Sequence, residues 1–140
     1  MDYEEYRSKY YSDPTPEPRF RVRGIQGATL YYQEYASALG FFRQVFGPPA
    51  YIEGQYTHGW KIGDSWLTVF PAQEGSPKNL EIPIYLHTAK EVDRLYEAFI
   101  GAGAQGDQPK DTIMYLPVRM AIVTDPFGVV FNLVFEYSEL

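Results

Sequence analysis

Residues 28–46, ATLYYQEYASALGFFRQVF, decide the fold because a strand is followed directly by a helix. The aromatic and β-branched content of residues 28–32 favours a strand. From Tyr35 to Phe46 the apolar side chains recur at helical spacing and form one stripe, made by Leu39, Phe42, Val45 and Phe46. Gly47-Pro48-Pro49 ends the helix, since proline cannot continue it.

Three short strands are predicted after this helix, around residues 50–52, 58–62 and 66–70. Gly63-Asp64-Ser65 has the composition of a hairpin turn between the last two. The order is therefore strand, helix and three strands, after which the polar residues 71–78 form a connector.

The same order recurs in the second half of the chain. Residues 81–86 read as a strand, and Thr88 with Glu91 three positions later has the spacing of a capping box. A helix follows up to Gly101, and strands are predicted near residues 112–115, 118–124 and 129–136. The chain is thus βαβββ twice, with a period of roughly 55 residues. We expect an α+β fold of two tandem modules whose curved, mixed sheet forms a cup, with the helices on its outside.

The first 19 residues stand apart from the repeat. Tyr3, Tyr6 and Tyr10 recur at helical spacing, which indicates either a short helix that docks its tyrosines or a frayed tail. The alternating prolines of Asp13–Pro18 predict an extended linker. We therefore divide the chain into an extension over 1–19 and a domain over 20–140, with module one at about 22–75 and module two at about 80–138.

Composition restricts the function. A net charge of −6 disfavours nucleic acid as a partner, and the absence of cysteine excludes disulfides and thiolate sites. The acidic start lacks a secretory signal and no apolar run approaches about 20 residues, so a cytoplasmic protein is expected. Aromatic residues make up 17%, which suits a ligand cavity or an oligomer contact as well as a core of large side chains.

Two motifs, in their order and spacing, resemble one family. The stretch from Tyr31 through Glu34 to Gly47 is similar to its first strand, acidic residue, helix and glycine, and residues 123–133, VTDPFGVVFNL, look like its closing hairpin. Over about residues 22–138 the chain resembles the glyoxalase/bleomycin-resistance/dioxygenase (vicinal-oxygen-chelate) superfamily, in a form whose turn reads DPFG.

The resemblance also implies where a divalent metal ion would be held. Metal-dependent members bind one ion with four residues, one on the first and one on the last strand of each module, typically His, Gln or Glu. Carried over by motif position, these places are taken by Gly27, Thr68, Glu81 and Asn132. One carboxylate, one amide, one hydroxyl and a glycine offer too few strong ligands. We therefore expect no metal, which argues against lactoylglutathione lyase and ring-cleaving dioxygenase activity.

What remains of the resemblance is its metal-free branch, the bleomycin-resistance-type proteins. These imply a homodimer that binds a small molecule, with an aromatic or cationic ligand favoured by the aromatic content and the negative charge. One alternative is a metal-independent isomerase or lyase with Glu81 as general base. Another is an interaction domain whose cup is filled by its own side chains.

Strand alternation selects the residues that face the cup. The predicted ligand-binding set is Tyr31, Trp66, Thr68, Glu81, Tyr85, Arg119 and Asn132. Two of these have a competing interpretation: Glu81 as a hydrogen-bond partner of Asn132 or a tyrosine, and Arg119 as part of a surface salt bridge. His58 and His87 lie away from the metal positions, and neither is expected to bind a metal ion.

Overall fold

The first module consists of a four-stranded sheet and one helix. The computed structural model of the chain describes residues 2–20, 25, 27–114 and 116–137. After the N-terminal helix α1 (Tyr3–Tyr10), the module contains β1 (Gly27–Tyr32), α2 (Tyr35–Phe46), β2 (Tyr51–Glu53), β3 (Thr57–Ile62) and β4 (Ser65–Pro71). The strand order is β1-β4-β3-β2, in which β1 and β4 are parallel and the other neighbours antiparallel.

The second module repeats this arrangement. It contains β5 (Glu81–Tyr85), α3 (Ala89–Gly101), β6 (Lys110–Ile113), β7 (Pro117–Thr124) and β8 (Val130–Glu136), in the order β5-β8-β7-β6. The parallel pair is again formed by the first and last strands of the module. The predicted α+β fold of two tandem βαβββ modules is therefore confirmed, with two separate four-stranded sheets.

Local sequence signals place both helices as predicted. Thr88 caps α3 by accepting a hydrogen bond from the backbone N–H of Glu91 at 3.1 Å, which is the expected capping contact. Gly47 follows α2 with φ of +85°, a conformation that glycine adopts without strain. The buried side chains of α2 include Leu39 and Phe42, from the predicted stripe.

Both modules share one hydrophobic core on the helix side of the sheets. Phe42 of α2 lies at its centre, with its ring centroid 5.7 Å from that of Trp60 in the first sheet and 6.1 Å from that of Phe131 in the second. Phe99 of α3 packs on the same Phe131 at 5.1 Å. The aromatic side chains therefore hold the two sheets together through the helices, since no described strand of one sheet pairs with a strand of the other.

The turn formed by residues 125–128 supplies a polar connection between the modules. Asp125 is buried, and its Oδ1 accepts the backbone N–H groups of Phe127 and Val129, both at 2.9 Å. Its Oδ2 accepts the phenol of Tyr32, from the end of β1, at 3.1 Å. The turn thus organises its own loop and binds the first module.

The N-terminal extension contains the short helix that was one of its two predicted forms. Asp2 caps α1 by accepting the N–H of Glu5 at 2.9 Å, and the rings of Tyr6 and Tyr10 lie 4.8 Å apart. No residue of α1 is buried. Tyr6 and Tyr10 therefore contact each other, and neither belongs to the hydrophobic core.

One predicted strand is displaced. Strand β6 ends at Ile113, two residues before the predicted end of 112–115, because its bounds follow from pairing with β7. The predicted module limits at residues 22 and 138, and Tyr115, lie outside the described residues. None of the helices in the described part of the chain has the length and apolar character needed to cross a membrane.

Candidate functional site

Each sheet has one face covered by helices and one open face. Along β1 and β5 the burial alternates, so that Tyr31, Glu81 and Tyr85 are exposed while Leu30 and Ile84 are buried. Tyr31 and Tyr85 are 53% and 51% exposed, large values for aromatic side chains. The open faces are the ones that strand alternation had assigned to the cup.

A pocket of about 350 Å³ lies where the first sheet meets β5, and we call it the seam pocket. It is bounded by the beginnings of β1 and β4, by β5 and by one side chain of β8. Its lining residues are Ile25, Gly27, Ala28, Ile62, Ser65, Trp66, Leu67, Leu80, Glu81, Ile82, Pro83, Ile84 and Phe131. Apolar groups dominate this lining, which is the usual character of a small-molecule site.

Among the described residues that line the seam pocket, Glu81 is the only charged one. Within the described part of the chain its carboxylate has neither a hydrogen bond nor an ion pair, because both ion pairs seen there involve Arg119. The predicted alternative, a Glu81 bonded to Asn132 or to a tyrosine, is therefore not what the described residues show. A carboxylate beside an apolar pocket is free to interact with a bound molecule.

Asn132 lies on the same open face as Glu81, on the neighbouring strand. In the parallel pair of β5 and β8, Glu81 is opposite Val130 and Pro83 is opposite Asn132, so the two polar side chains are diagonal neighbours. The Oδ1 atom of Asn132 is buried and has no hydrogen-bond partner among the described residues. A buried acceptor without a donor is costly, and such groups often mark a place where a ligand or water binds.

The repeat relates these positions to the first module. Gly27 is opposite Trp66, two residues before Thr68, just as Glu81 is opposite Val130, two residues before Asn132. Gly27 therefore corresponds to Glu81, and Thr68 to Asn132. The register supports the assignment of these four residues to equivalent places, although only Gly27 and Glu81 line the seam pocket.

Trp66 forms an aromatic wall of the pocket. Its ring lies over Gly59 of β3, where an added Cβ would be 3.3 Å from the indole Cε3. Lys61 places its Nζ 4.8 Å from the Trp66 ring centroid, a cation–π contact. On the same face Tyr31 stacks on Phe70 with centroids 5.4 Å apart. Because these two stacked rings are at the other end of β1, Tyr31 does not line the seam pocket.

The remaining predicted residues are dispersed. Tyr85 lines a second recess, at the start of α3, together with His87, Glu91 and Arg94. Thr68 lies half-buried in the middle of β4 on the open face. Of the predicted set, the structure brings only Trp66 and Glu81 into the seam pocket, whereas Asn132 lies outside its lining on the strand next to β5.

Arg119, which was predicted as a ligand-binding residue, lies outside the lining of the seam pocket. Arg119 lies on the helix-covered face, opposite Phe135, and its Nε is 2.8 Å from Oδ1 of Asp93 in α3. A second carboxylate, that of Asp111, is 3.4 Å from Nη1. The surface ion pair, which was the competing interpretation, is the one that the structure shows.

His58 is buried on the helix side rather than in the site. Its Nδ1 is 2.7 Å from the phenol oxygen of Tyr35, whose proton is donated to the carbonyl oxygen of Val69 at 3.0 Å. Burial, and to a smaller extent Arg43, lowers the pKa of His58 below its ordinary value. His87 is exposed.

Sequence reasoning missed the apolar part of the pocket, namely Ile25, Ala28, Ile62, Leu80 and Ile82. Alternation assigns Ala28, Ile62 and Ile82 to the helix-covered faces, where side chains are expected in the core. They become accessible because the two sheets part at this point. No local sequence signal marks such a gap.

The comparisons with known proteins agree on one family. The family model described as Glyoxalase/Bleomycin resistance protein/Dioxygenase superfamily matches residues 24–133. No curated protein matches the chain significantly.

Several solved structures share the fold. A glyoxalase/bleomycin resistance protein/dioxygenase family enzyme from Burkholderia phytofirmans is 20% identical, with a TM-score of 0.65 over 80% of this chain and 98% of that one. A lactoylglutathione lyase from Agrobacterium tumefaciens is 19% identical, with a TM-score of 0.61 over 81% and 94%. The fosfomycin resistance protein FosX from Mesorhizobium loti is 16% identical, with a TM-score of 0.63 over 84% and 95%. At these identities the likeness concerns the fold alone.

Proposed function

Since the chain belongs to the glyoxalase/bleomycin resistance protein/dioxygenase superfamily, we propose that it binds a small organic molecule in the seam pocket without a metal ion. The observation that carries this proposal is the apolar pocket of about 350 Å³ with one unpaired carboxylate, that of Glu81, at its side. A volume of this size is at the lower end of those found for small-molecule sites. The ligand is cationic or aromatic, which suits Glu81 and the ring of Trp66.

The metal-free part of the proposal is supported by the donors at the four positions that the family uses. Glu81 is the only carboxylate among them, and no cluster of three or more His, Cys, Asp or Glu is found in the described ranges. The backbone adds a second argument at Gly27, because a Cβ there would overlap the carbonyl oxygen of Trp66. This place has no room for a ligand side chain unless β1 moves. The donor set therefore does not fit a divalent ion.

We also propose that the chain forms a homodimer. Large apolar side chains on the open faces are exposed to solvent, among them Tyr31, Tyr51, Tyr85 and Ile122. Apolar patches of this kind are typical of interaction surfaces, and a second copy would cover them. Light scattering on the purified chain is expected to give twice the mass of 16.1 kDa. A monomer at high concentration would contradict the dimer but not the pocket.

Thermal-shift screening tests the binding function. A ligand that binds only the folded state raises the unfolding temperature, so a binder among cationic and aromatic molecules is expected to raise it by several degrees. Ser65 lines the pocket and Asp64, its neighbour in the exposed turn, does not. We therefore expect Ser65→Phe to abolish the shift and Asp64→Phe to preserve it. A shift that survives Ser65→Phe would place the ligand elsewhere.

Metal binding is tested separately by elemental analysis and by titration with zinc, nickel, manganese and ferrous ions. The proposal expects substoichiometric metal after purification and no saturable binding. One equivalent of metal that is lost in Glu81→Gln would refute it.

The isomerase or lyase alternative depends on the same free carboxylate of Glu81. It differs from a binding function in one respect, since Glu81→Gln would still bind substrate but would lose turnover. Binding and turnover that respond alike to the variant would favour a binding protein.

A further inference from the structure

We propose that the ligand is an organic ammonium ion with an apolar body, held in one orientation, with its N–H groups at Glu81 and its body towards Trp66. This inference rests on the proposed function and specifies the ligand class. The juxtaposition behind it is a carboxylate that has no partner among the described residues, at the side of a pocket whose lining is mostly apolar.

The charged group of this pocket is an acceptor. Glu81 offers a carboxylate, and Ser65 adds a hydroxyl that can donate or accept. Among the described residues, the lining of the seam pocket contains no lysine or arginine. Lys61 stacks its ammonium on the ring of Trp66, but it is not a lining residue. A ligand that pairs with Glu81 must therefore supply donors, and an ammonium group supplies up to three.

The orientation follows from an asymmetry between equivalent positions. Gly27 and Glu81 occupy the same place in the two modules and both line the seam pocket. The first has no side chain and is surrounded by Ile25, Ile62 and Trp66, whereas the second carries a charge. The charged end of a ligand therefore lies on the side of β5, and the apolar end on the side of β1.

Charge excludes the other classes of ligand. An organic anion would be repelled by the carboxylate of Glu81 and also by the net charge of −6 of the whole chain. A neutral alcohol can donate one hydrogen bond but gains no ion pair. The exposed position of Glu81 keeps the cost of removing water from the carboxylate small, so the ion pair contributes a net gain.

Matched probes separate these cases, and the fluorescence of Trp66 reports their binding. We choose 2-phenylethylamine, 2-phenylethanol and 3-phenylpropanoate, which share an apolar body and differ in the charge of the head group. Trp60 is buried in the core and donates to the carbonyl oxygen of Gly47, so its emission should change little. The amine is expected to bind about tenfold more tightly than the alcohol, and the carboxylate more weakly than either.

Two variants assign the effect to its residues. Glu81→Gln should reduce the preference for the amine over the alcohol to about twofold or less, while Glu136→Gln, at the exposed end of β8, should leave it unchanged.

The outcomes are distinguishable. Equal affinity for amine and alcohol in the unmodified chain, or a preference for the carboxylate, would overturn the ammonium inference and leave the binding function standing. A preference for the amine that persists in Glu81→Gln would overturn it as well. If none of the three probes changes the fluorescence at concentrations up to about 10 mM, a range that detects even millimolar affinity, both the inference and the seam pocket as a binding site fail.

Discussion

The phenol of Tyr32 donates a hydrogen bond of 3.1 Å to Oδ2 of Asp125, and both residues are buried. This contact joins the end of the first strand of one module to the β7–β8 turn of the other. The Phe127 ring, next to the carboxylate, packs edge-on against Tyr32 at 5.3 Å and against Phe41 at 6.2 Å. The modules are thus held together at one end by a polar contact within an aromatic cluster, and they part at the seam pocket.

Removal of this hydrogen bond should destabilise the fold. Tyr32→Phe leaves the buried Oδ2 of Asp125 without its donor, and we expect the free energy of unfolding to fall by about 1–3 kcal/mol. Urea denaturation at pH 7 measures it. Tyr51→Phe is the matched control, because its phenol contacts only the exposed Glu53, and it should change stability by less than about 0.5 kcal/mol. Equal effects of the two variants would mean that the Tyr32–Asp125 contact contributes nothing specific.

The carboxyl group of Asp125 should make stability depend on pH. Burial raises the pKa of Asp125 above its ordinary value of 3.8, more than the backbone N–H groups and Tyr32 lower it. The folded state therefore favours the protonated form of Asp125. The resulting contribution to the free energy of unfolding is complete below the ordinary pKa and is lost as pH rises through the pKa of Asp125 in the folded state. Relative to Asp125→Asn, the unfolding free energy of the unmodified chain should fall from pH 3.8 towards neutrality. If the difference in unfolding free energy between the unmodified chain and Asp125→Asn stays constant or rises with pH, the pKa of Asp125 is not raised by folding.

His58 should have the opposite pH dependence to Asp125. Burial lowers the pKa of His58 below 6.5, and its positive form also faces Arg43, while Tyr35 and Val69 supply only neutral contacts. Because the folded state favours the neutral ring, the contribution of His58 to the free energy of unfolding is complete above pH 6.5. This contribution is lost as pH falls through the pKa of His58 in the folded state. His58→Gln should flatten this part of the stability curve. The exposed His87→Gln is the control, and a curve that both variants change alike would argue against His58.

Substitution of two glycines by alanine should change the stability of the fold in opposite directions. Gly27→Ala places a Cβ against the carbonyl oxygen of Trp66 and should cost about 1–3 kcal/mol, since β1 must shift on β4. Gly40 lies in the middle of α2, and a Cβ added there would have no atom within 4 Å apart from its own helix backbone and chain neighbours. Gly40→Ala should therefore stabilise the fold by about 0.5–1 kcal/mol. Thermal denaturation compares the two. A stable Gly27→Ala would reopen this position to a metal-binding side chain.

Arg119 should matter little for ligand binding. Its guanidinium pairs with Asp93, whose side chain is 46% exposed, and neither residue lines the seam pocket. Arg119→Gln is therefore expected to lower stability by at most about 1 kcal/mol and to leave the affinity of a seam-pocket ligand within about twofold. Titration followed by Trp66 fluorescence checks the affinity. A large loss of affinity would return Arg119 to the ligand-binding set.

Some features of this protein were determined by local sequence. The limits of α2 and the capping of α3 follow from apolar spacing, prolines, glycines and the pair Thr88 and Glu91, all of which act within a few residues. The open and covered faces of β1 and β5 follow from alternation along a single strand. The repeat of the whole pattern was sufficient to predict two βαβββ modules.

Other features depended on register between strands. The face on which Arg119 lies is set by its pairing with Phe135 across β7 and β8, and alternation applied from Asn132 through its partner Ile122 would have assigned it correctly. The limits of β6 depend in the same way on β7. A shift of one residue in register moves a side chain to the other face, so such assignments need the pairing as well as the sequence.

The sequence by itself determined the modules, the alternation of side chains along β1 and β5, and the weak donor set at Gly27, Thr68, Glu81 and Asn132. Only the tertiary structure decided which of these residues meet. The seam pocket exists because the first sheet and β5 approach each other without pairing, so that helix-side residues such as Ile82 are accessible beside Glu81. Contacts between sheets join residues far apart in the chain, and no local pattern specifies where two sheets separate.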